Sequence, residues 1–390
     1  MRIAIFTETF PPMVDGVVTR LLGTIEELVS SGNEVLVVAP FRSEPSYHGV
    51  PVVRLPGLPF ALYPEKTVCG PSLELKRRLT LFRPEVIHAV NPIDIGAIGV
   101  ATAKMQGIPL VCSYHARLPE YTEYYHIGFL KPAAWTALRL LHNRAQVNLA
   151  TSQAMVQELR DHGIQRVRLW ERGIDANRFG PQHYSTQMRE RLLGGRDPQT
   201  PVLLYVGRLG WEKGLDQLRP LLTSRPDIQL AFVGEGPARL HLQKAFKGTS
   251  TVFTGKLEGE ALAKAYASAD ALLFPSTTET LGLVVFEAMA SGLPVIAARN
   301  GPLLETIRPY ENGLLFTPGE VEDMVNQIDW LVGHEQQRQE MGHHAYRFAQ
   351  SLGWRMPTQQ LLDDYQRAIR RYHRQNKVRR PAASPARERI

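Results

Sequence analysis

The stretch at 271–298, ALLFPSTTETLGLVVFEAMASGLPVIAA, decides the fold. ALLFPS has the short apolar run of a buried strand, and PVIAA, after Gly292, has another. Between them LGLVVFEAMAS is apolar on almost every side, the pattern of a helix sunk in a core, with Gly292 placed to terminate it. Strand, crossover helix, strand is one βαβ unit and implies parallel pairing. Glu287 lies inside that apolar helix, where an unpaired carboxylate is costly or takes up a proton. Two readings satisfy it: a salt bridge to a buried Arg or Lys, or a ligand with two adjacent hydroxyls, such as a ribose.

The same alternation runs along the whole chain. Strands are expected at 3–7, 34–40, 86–90, 109–115 and 147–152, and in a second series at 201–207, 228–234, 251–255, 271–276 and 294–298. A chain of 390 residues exceeds what one core supports, and each series can build a doubly wound sheet. The segment 180–200, rich in Pro, Gln, Ser and Arg, reads as the junction. The expected architecture is therefore α/β, with two Rossmann-like parallel-sheet domains facing across a cleft. They occupy 1–183 and 184–357, followed by a helix at 358–376 packing back on the first domain and a basic tail at 377–390.

Composition narrows the partners. A net charge of +7 favours an anionic partner, and the end of the chain from Arg367 carries nine Lys or Arg residues against one acid. That end reads either as a solvated tail or as an anchor to an anionic membrane surface. Aromatics are not interleaved with it, so single-stranded nucleic acid is not expected. Two cysteines, Cys69 and Cys112, give neither a disulfide framework nor metal-ligand spacing. MRIAIFTETF runs straight into a strand pattern, and no apolar run reaches about 18 residues. The expected location is cytoplasmic, with peripheral membrane contact.

Ligands of such sheets collect beyond the carboxyl ends of the strands, where helix N-termini present free amides. Glu279, Thr280, Leu281, Gly282 and Leu283 fall there. In YVGRLGWEKG, Arg208 follows a strand and Lys213 comes five residues later. The pair suits a diphosphate, a planar fork beside a point charge, or is ordinary surface charge. VGEGPARL imitates a dinucleotide fingerprint, but Arg239 stands where the third glycine belongs, and nicotinamide binding is rejected. In TETFPPMVDGVVTRL, Gly16 opens a helix toward a phosphate or serves a turn, with Asp15 and Thr19 beside it. In SYHARLPEYTEYY, His115 ends a strand, where it either points into the cleft or is a structural histidine, with Arg117 and Tyr121 following. The segment IGFLKPAAWTALRLLHNRA packs on the first sheet or faces lipid.

Together these motifs resemble the family 4 retaining glycosyltransferases of the GT-B fold. The resemblance covers about residues 1–350 and rests on Glu279 to Glu287, the following Gly292-Leu293-Pro294, and GRL…EKG. It implies that Glu287 holds the nucleotide ribose, Glu279 contacts the donor sugar, and Arg208 with Lys213 neutralises the leaving diphosphate. It also implies that His115 lies beside the donor sugar, and that Asn300 and Gly301 line the donor or acceptor wall. Within the family, TETFPPMVDGVVTRL, GNEVLVVAP, SYHARLPEY and RLWERGID are similar to the sulfolipid synthases of cyanobacteria and plants. That similarity implies transfer from UDP-sulfoquinovose to diacylglycerol at the inner or thylakoid membrane. No cofactor and no metal are expected, since no Asp-x-Asp pair sits at a strand end. Two positions depart from those synthases. Arg117 replaces a second histidine and is expected to engage a sulfonate or other anionic group, and Pro302 removes an amide hydrogen from the loop at 301–305. Transfer of another UDP- or GDP-linked sugar, sugar-nucleotide epimerisation and non-catalytic anion binding are the competing functions.

Overall fold

The computed structural model describes residues 1–60, 63–125 and 127–379. The first part of the chain forms β1 (Arg2–Phe6), β2 (Glu34–Pro40), β3 (Ser46–Tyr47), β4 (Val50–Leu55), β5 (Gly57–Phe60), β6 (Tyr63–Cys69), β7 (Val86–Val90), β8 (Leu110–Tyr114), β9 (Val147–Ala150) and β10 (Val167–Leu169). The second part forms β11 (Val202–Val206), β12 (Gln229–Val233), β13 (Thr251–Gly255), β14 (Ala271–Phe274), β15 (Val295–Ala298) and β16 (Gly313–Phe316). Eight strands assemble in the order β10-β9-β8-β7-β1-β2-β4-β3, six in the order β13-β12-β11-β14-β15-β16, and β5 with β6 stands apart as a hairpin. Within the two large sheets only the β3 pairing is antiparallel.

Both sheets are doubly wound. The chain leaves β1 toward β2 and returns on its other side as β7; it leaves β11 toward β12 and returns as β14. Each reversal opens a crevice at the carboxyl ends of the central strands, where ligands of such sheets bind. The strands are nearly continuous apolar runs because helices cover both faces. The helix Leu283–Ala290 is buried on every side but that of Val284.

Where sequence and structure differ, short or edge elements are responsible. Strands β3 and β10 are only two and three residues long, β4 is interrupted by Pro51 and Arg54, β5 and β6 lie outside the large sheets, and β16, though apolar and buried, spans four residues. The segment 180–200 contains a helix, Thr186–Leu193, with Ser185 accepting from the Met188 amide at one end and a left-handed Gly194 at the other. Its Met188, Leu192 and Leu193 join the core of the second sheet. The chain instead passes between the sheets through Trp170 to Ile174 and again near Trp354. The Trp354 indole fills the space that a side chain at Gly23 or Gly173 would need.

The last helix spans Arg355–Arg379, longer at both ends than the sequence pattern suggests. Its Leu361, Leu362, Tyr365 and Ala368 enter the core of the first sheet. The remainder of the basic tail, 380–390, lies outside the described residues. Among the described residues no helix is long and apolar enough to cross a membrane.

Candidate active site

Four connections at the carboxyl ends of strands build the site. They follow β1 (Thr7 to Asp15), β8 (His115 to Tyr121), β11 (Arg208 to Lys213) and β14 (Thr277 to Gly282). The two cations after β11 are already paired. Arg208 Nη1 donates to Glu212 Oε1 at 3.0 Å, and Lys213 Nζ donates to Glu279 Oε1 at 2.5 Å. Ser276 Oγ adds a bond to the same Glu279 oxygen at 3.0 Å. The Lys213–Glu279 pair is largely buried, at 14% and 15% exposure. Burial disfavours the ammonium, but the adjoining Glu279 carboxylate outweighs it and holds the Lys213 pKa above its ordinary value. Lys213 therefore stays charged at every physiological pH. Tyr121, from the first sheet, is pushed up to about 12 by burial, against the pull of Lys213.

Gly282 has φ +77°, the left-handed region, and a Cβ there would come within 3.1 Å of Leu303. Glycine is required on both counts. A glycine also has no side chain with which to cap the helix Leu283–Ala290; the Val285 amide bonds the Gly282 carbonyl at 2.9 Å, and the Leu283 and Val284 amides have no side-chain cap. Five residues into that helix, Glu287 is 9% exposed. Tyr266 Oη donates to its Oε2 at 2.8 Å. No Lys or Arg forms an ion pair with it among the described residues, so the salt-bridge reading fails. Burial raises the Glu287 pKa, opposed by the Tyr266 bond and by Arg178. Oε1 has no protein donor among the described residues.

The first sheet approaches this loop directly. Thr280 Oγ1 donates to the His115 carbonyl and Thr151 Oγ1 to the Thr280 carbonyl, both at 2.8 Å. Gly16 is not left-handed, so a turn does not explain it; a Cβ there would lie 3.6 Å from Leu283, at the start of the Glu287 helix. His115 differs from expectation. Its ring is buried, with Nε2 at 2.8 Å from Ser113 Oγ, rather than projecting into open cleft. Burial, with help from Arg20, His88 and His142, pushes its pKa well below the ordinary range, so the ring is neutral. Ser113 Oγ also meets His88, which in turn meets Tyr365 Oη, at 2.8 Å each.

Four expected wall residues have structural duties. Asp15 Oδ1 caps the helix Gly16–Ser30 by accepting from the Val18 amide at 2.8 Å, and Thr19 Oγ1 bonds the Asp15 carbonyl. Arg117 is held by Glu158 at 2.9 Å and by the Thr277 carbonyl at 3.4 Å, so its fork is committed to protein partners rather than to a sulfonate. Gly301 is a point of close packing, because a Cβ there would sit 2.7 Å from that of Ala154 in the first domain. Asn300 keeps a buried Nδ2 without a protein acceptor among the described residues. Pro302 occupies the first turn of the short helix Gly301–Leu304, where its missing amide hydrogen breaks no helical bond. Glu305 accepts from the Gln153 and Ala154 amides at 2.9 and 2.7 Å, clasping the two domains. Replacing Gly301 by Ala should overpack that contact and lower the melting temperature by about 2–6 °C, read by calorimetry.

Sequence reasoning passed over Glu212, Ser276, Tyr266, Thr151, Ser113 and Arg20. Glu212 and Ser276 sit inside the quoted motifs and were legible as polar residues beside charged ones. Tyr266 lies on the preceding helix, and nothing in its own surroundings links it to Glu287.

Residues 190–348 match the model described as "Glycosyl transferases group 1", and residues 14–178 that described as "Glycosyltransferase Family 4". The sulfoquinovosyl transferase SQD2 of Arabidopsis thaliana is 36% identical over 97% of this chain and 76% of that protein. A GDP-mannose-dependent alpha-mannosyltransferase of Mycobacterium tuberculosis is 36% identical over 94% of this chain and 96% of its own. Among solved structures, Anabaena Alr3699/HepE in complex with UDP and glucose superposes with a TM-score of 0.75 at 22% identity, covering 93% of this chain and 99% of that one. At that identity the likeness speaks for the two-domain GT-B fold alone.

Proposed function

The chain belongs to the family 4 glycosyltransferases, and from that premise we propose that it transfers sulfoquinovose from UDP-sulfoquinovose to diacylglycerol. The observation that carries the donor sugar is the 36% identity to a sulfoquinovosyl transferase over 97% of the chain. A lipid acceptor is supported by apolar side chains exposed in the segments that follow β4 and β8 of the first sheet. Phe129, 80% exposed, and Leu130 follow β8, while Leu58 and Val68 stand opposite each other on the β5–β6 hairpin.

In this reading the diphosphate lies between the mouth of β11 and the start of the Glu287 helix. Arg208 and Lys213 neutralise the charge that develops as the sugar–phosphate bond breaks, and the uncapped amides after Gly282 add to them. Glu287 Oε1 accepts from a ribose hydroxyl. Glu279, pinned by Lys213 and Ser276, faces the sugar. The neutral His115 ring orients without competing for charge. Retention of configuration and independence from metal are part of the proposal: the acceptor hydroxyl attacks on the face the diphosphate leaves, and a leaving-group oxygen takes its proton.

A second reading has its own support, since the mannosyltransferase match is equally strong in identity. The test is to supply diacylglycerol vesicles with UDP-sulfoquinovose, UDP-glucose or GDP-mannose and identify the glycolipid by mass spectrometry. Sulfoquinovosyl diacylglycerol as the main product is expected. Product from GDP-mannose alone would replace the donor assignment with the second reading.

A further inference from the structure

Three buried side chains from three elements lead from the last helix to His115. Tyr365 Oη, on the helix Arg355–Arg379, lies 2.8 Å from His88 Nδ1; His88 Nε2, on β7, lies 2.8 Å from Ser113 Oγ; and Ser113 Oγ, on β8, lies 2.8 Å from His115 Nε2. Tyr365, His88 and Ser113 are fully buried. Both rings are neutral. Burial, with Arg20 adding to it, pushes the His88 pKa down to about 3 and that of His115 well below the ordinary range. Arg20 acts across a shared wall: its guanidinium stacks 4.0 Å over the Trp170 indole, which the two rings meet at 5.7 and 5.5 Å. Each ring therefore carries one N–H and one lone pair. Burial also holds the Tyr365 pKa well above its ordinary value, so the hydroxyl keeps its proton.

The hydrogens of this chain run in one direction. If Tyr365 donates to His88 Nδ1, His88 holds its proton on Nε2 and donates to Ser113, whose hydroxyl then donates to His115 Nε2. Every hydrogen within the chain finds an acceptor, and the His115 proton sits on Nδ1. Reversing the order leaves the buried Tyr365 hydroxyl hydrogen without an acceptor among the described residues. Letting both rings donate to Ser113 leaves that hydroxyl's hydrogen without one. Either orphan bears the desolvation penalty of a buried polar group, which the first arrangement avoids. The chain ends at His115 Nδ1. No protein group meets that nitrogen among the described residues, and unlike the Nε2 of His142 it is not sealed from solvent. The same residue's carbonyl is bonded to Thr280, in the connection after β14.

We infer that Tyr365 is a positioning residue for sugar transfer: through His88 and Ser113 it holds His115 in the Nδ1–H tautomer, so that the ring offers a hydrogen-bond donor to an oxygen of the donor sugar. The inference rests on the proposed place of the sugar beside His115 and adds the control of that ring from the last helix, 277 residues along the chain from His88. A donor suits the place, because every sugar oxygen accepts a hydrogen bond. The opposite tautomer would present a lone pair, which the ether oxygens of a sugar cannot satisfy.

The tautomer is read on the free protein. With isotopically labelled histidine nitrogens, the long-range proton–nitrogen NMR spectrum of the wild type should show His115 protonated at Nδ1, its signal identified by its loss in His115→Gln. A proton on Nε2 would overturn the inference outright. Tyr365→Phe removes the donor that sets the direction. It should shift His115 toward the Nε2–H form and lower kcat/KM, for whichever nucleotide sugar the wild type turns over, by roughly 10-fold, the scale of one hydrogen bond. The nucleoside diphosphate of that donor, which lacks the sugar, should bind within about twofold of wild type in calorimetric titration. Ser113→Ala cuts the same chain, and adding Tyr365→Phe to it should cost nothing further in kcat/KM, since both act through one path. An unmoved tautomer in Tyr365→Phe, a moved tautomer with unaltered kcat/KM, additive losses in the double variant, or an equal loss of diphosphate binding would each overturn the role of Tyr365. None of these readings depends on sulfoquinovose, so turnover of another donor would overturn the donor assignment and leave the inference standing. A wild-type protein that turns over no nucleotide sugar would overturn both.

Discussion

Replacing Lys213 by Met should lower kcat by about 100- to 1000-fold, the loss that follows removal of one preorganised group opposite a developing negative charge. The substitution has a second consequence that must be separated from the first. Lys213 and Glu279 are each other's partners at 2.5 Å in a largely buried place, so removing the ammonium strands a carboxylate. Breaking such a pair from one side costs about 3–5 kcal/mol, and the variant should melt several degrees lower. Adding Glu279→Gln removes the stranded charge. The double variant should regain most of the melting temperature and none of the turnover. If turnover returned along with stability, Lys213 would be a structural partner of Glu279 and the diphosphate would have to be neutralised elsewhere.

Glu287→Gln should move stability and activity in opposite directions. Burial raises the Glu287 pKa in the folded protein above its unfolded value. The folded state therefore binds the extra proton between the two values. The stability that this proton confers is present below the unfolded pKa and is lost as pH rises through the folded one. At pH 7.5 the carboxylate is a burden, which Gln does not share. The variant should melt no lower than wild type there, by about 2 °C or more higher, and the difference should shrink as pH falls into the carboxylate range. The donor should suffer: a neutral amide is a weaker acceptor for a ribose hydroxyl than a carboxylate, and KM for the nucleotide sugar should rise roughly 10-fold or more. A melting temperature that falls at pH 7.5 with unchanged KM would make Glu287 a core residue whose bond to Tyr266 is its whole purpose.

Much of this protein is legible in one dimension because its regularities are local. The alternation of apolar strands with helical spacing locates all ten strands read from the sequence, since a buried parallel strand must be apolar throughout and its helix must cover it. The stretch 271–298 carries strand, helix and strand in order, and the misfit of Glu287 is visible there as a charge in an apolar helix. Gly282 is likewise local, a backbone position with φ +77° that no side chain tolerates well. Weakly apolar edge strands such as β3 and β10 escape notice because pairing on one side stabilises them with few apolar residues.

The partner of each charge follows from tertiary packing alone. Arg208, Lys213 and Arg117 look alike as cations after strands, but Glu212, Glu279 and Glu158 engage them in turn, the last from a helix 41 residues further on. Glu287 chooses Tyr266 from a neighbouring helix over any cation. Arg20 reads in sequence as one more polar residue of an amphipathic helix, and its burial follows only from Trp170, 150 residues away, closing over it. Periodicity determines which residues leave water, because that depends on spacing along the chain. Which polar groups then meet depends on how the two sheets and their crossing segments pack, and the cost of burying a charge makes those meetings decide the chemistry.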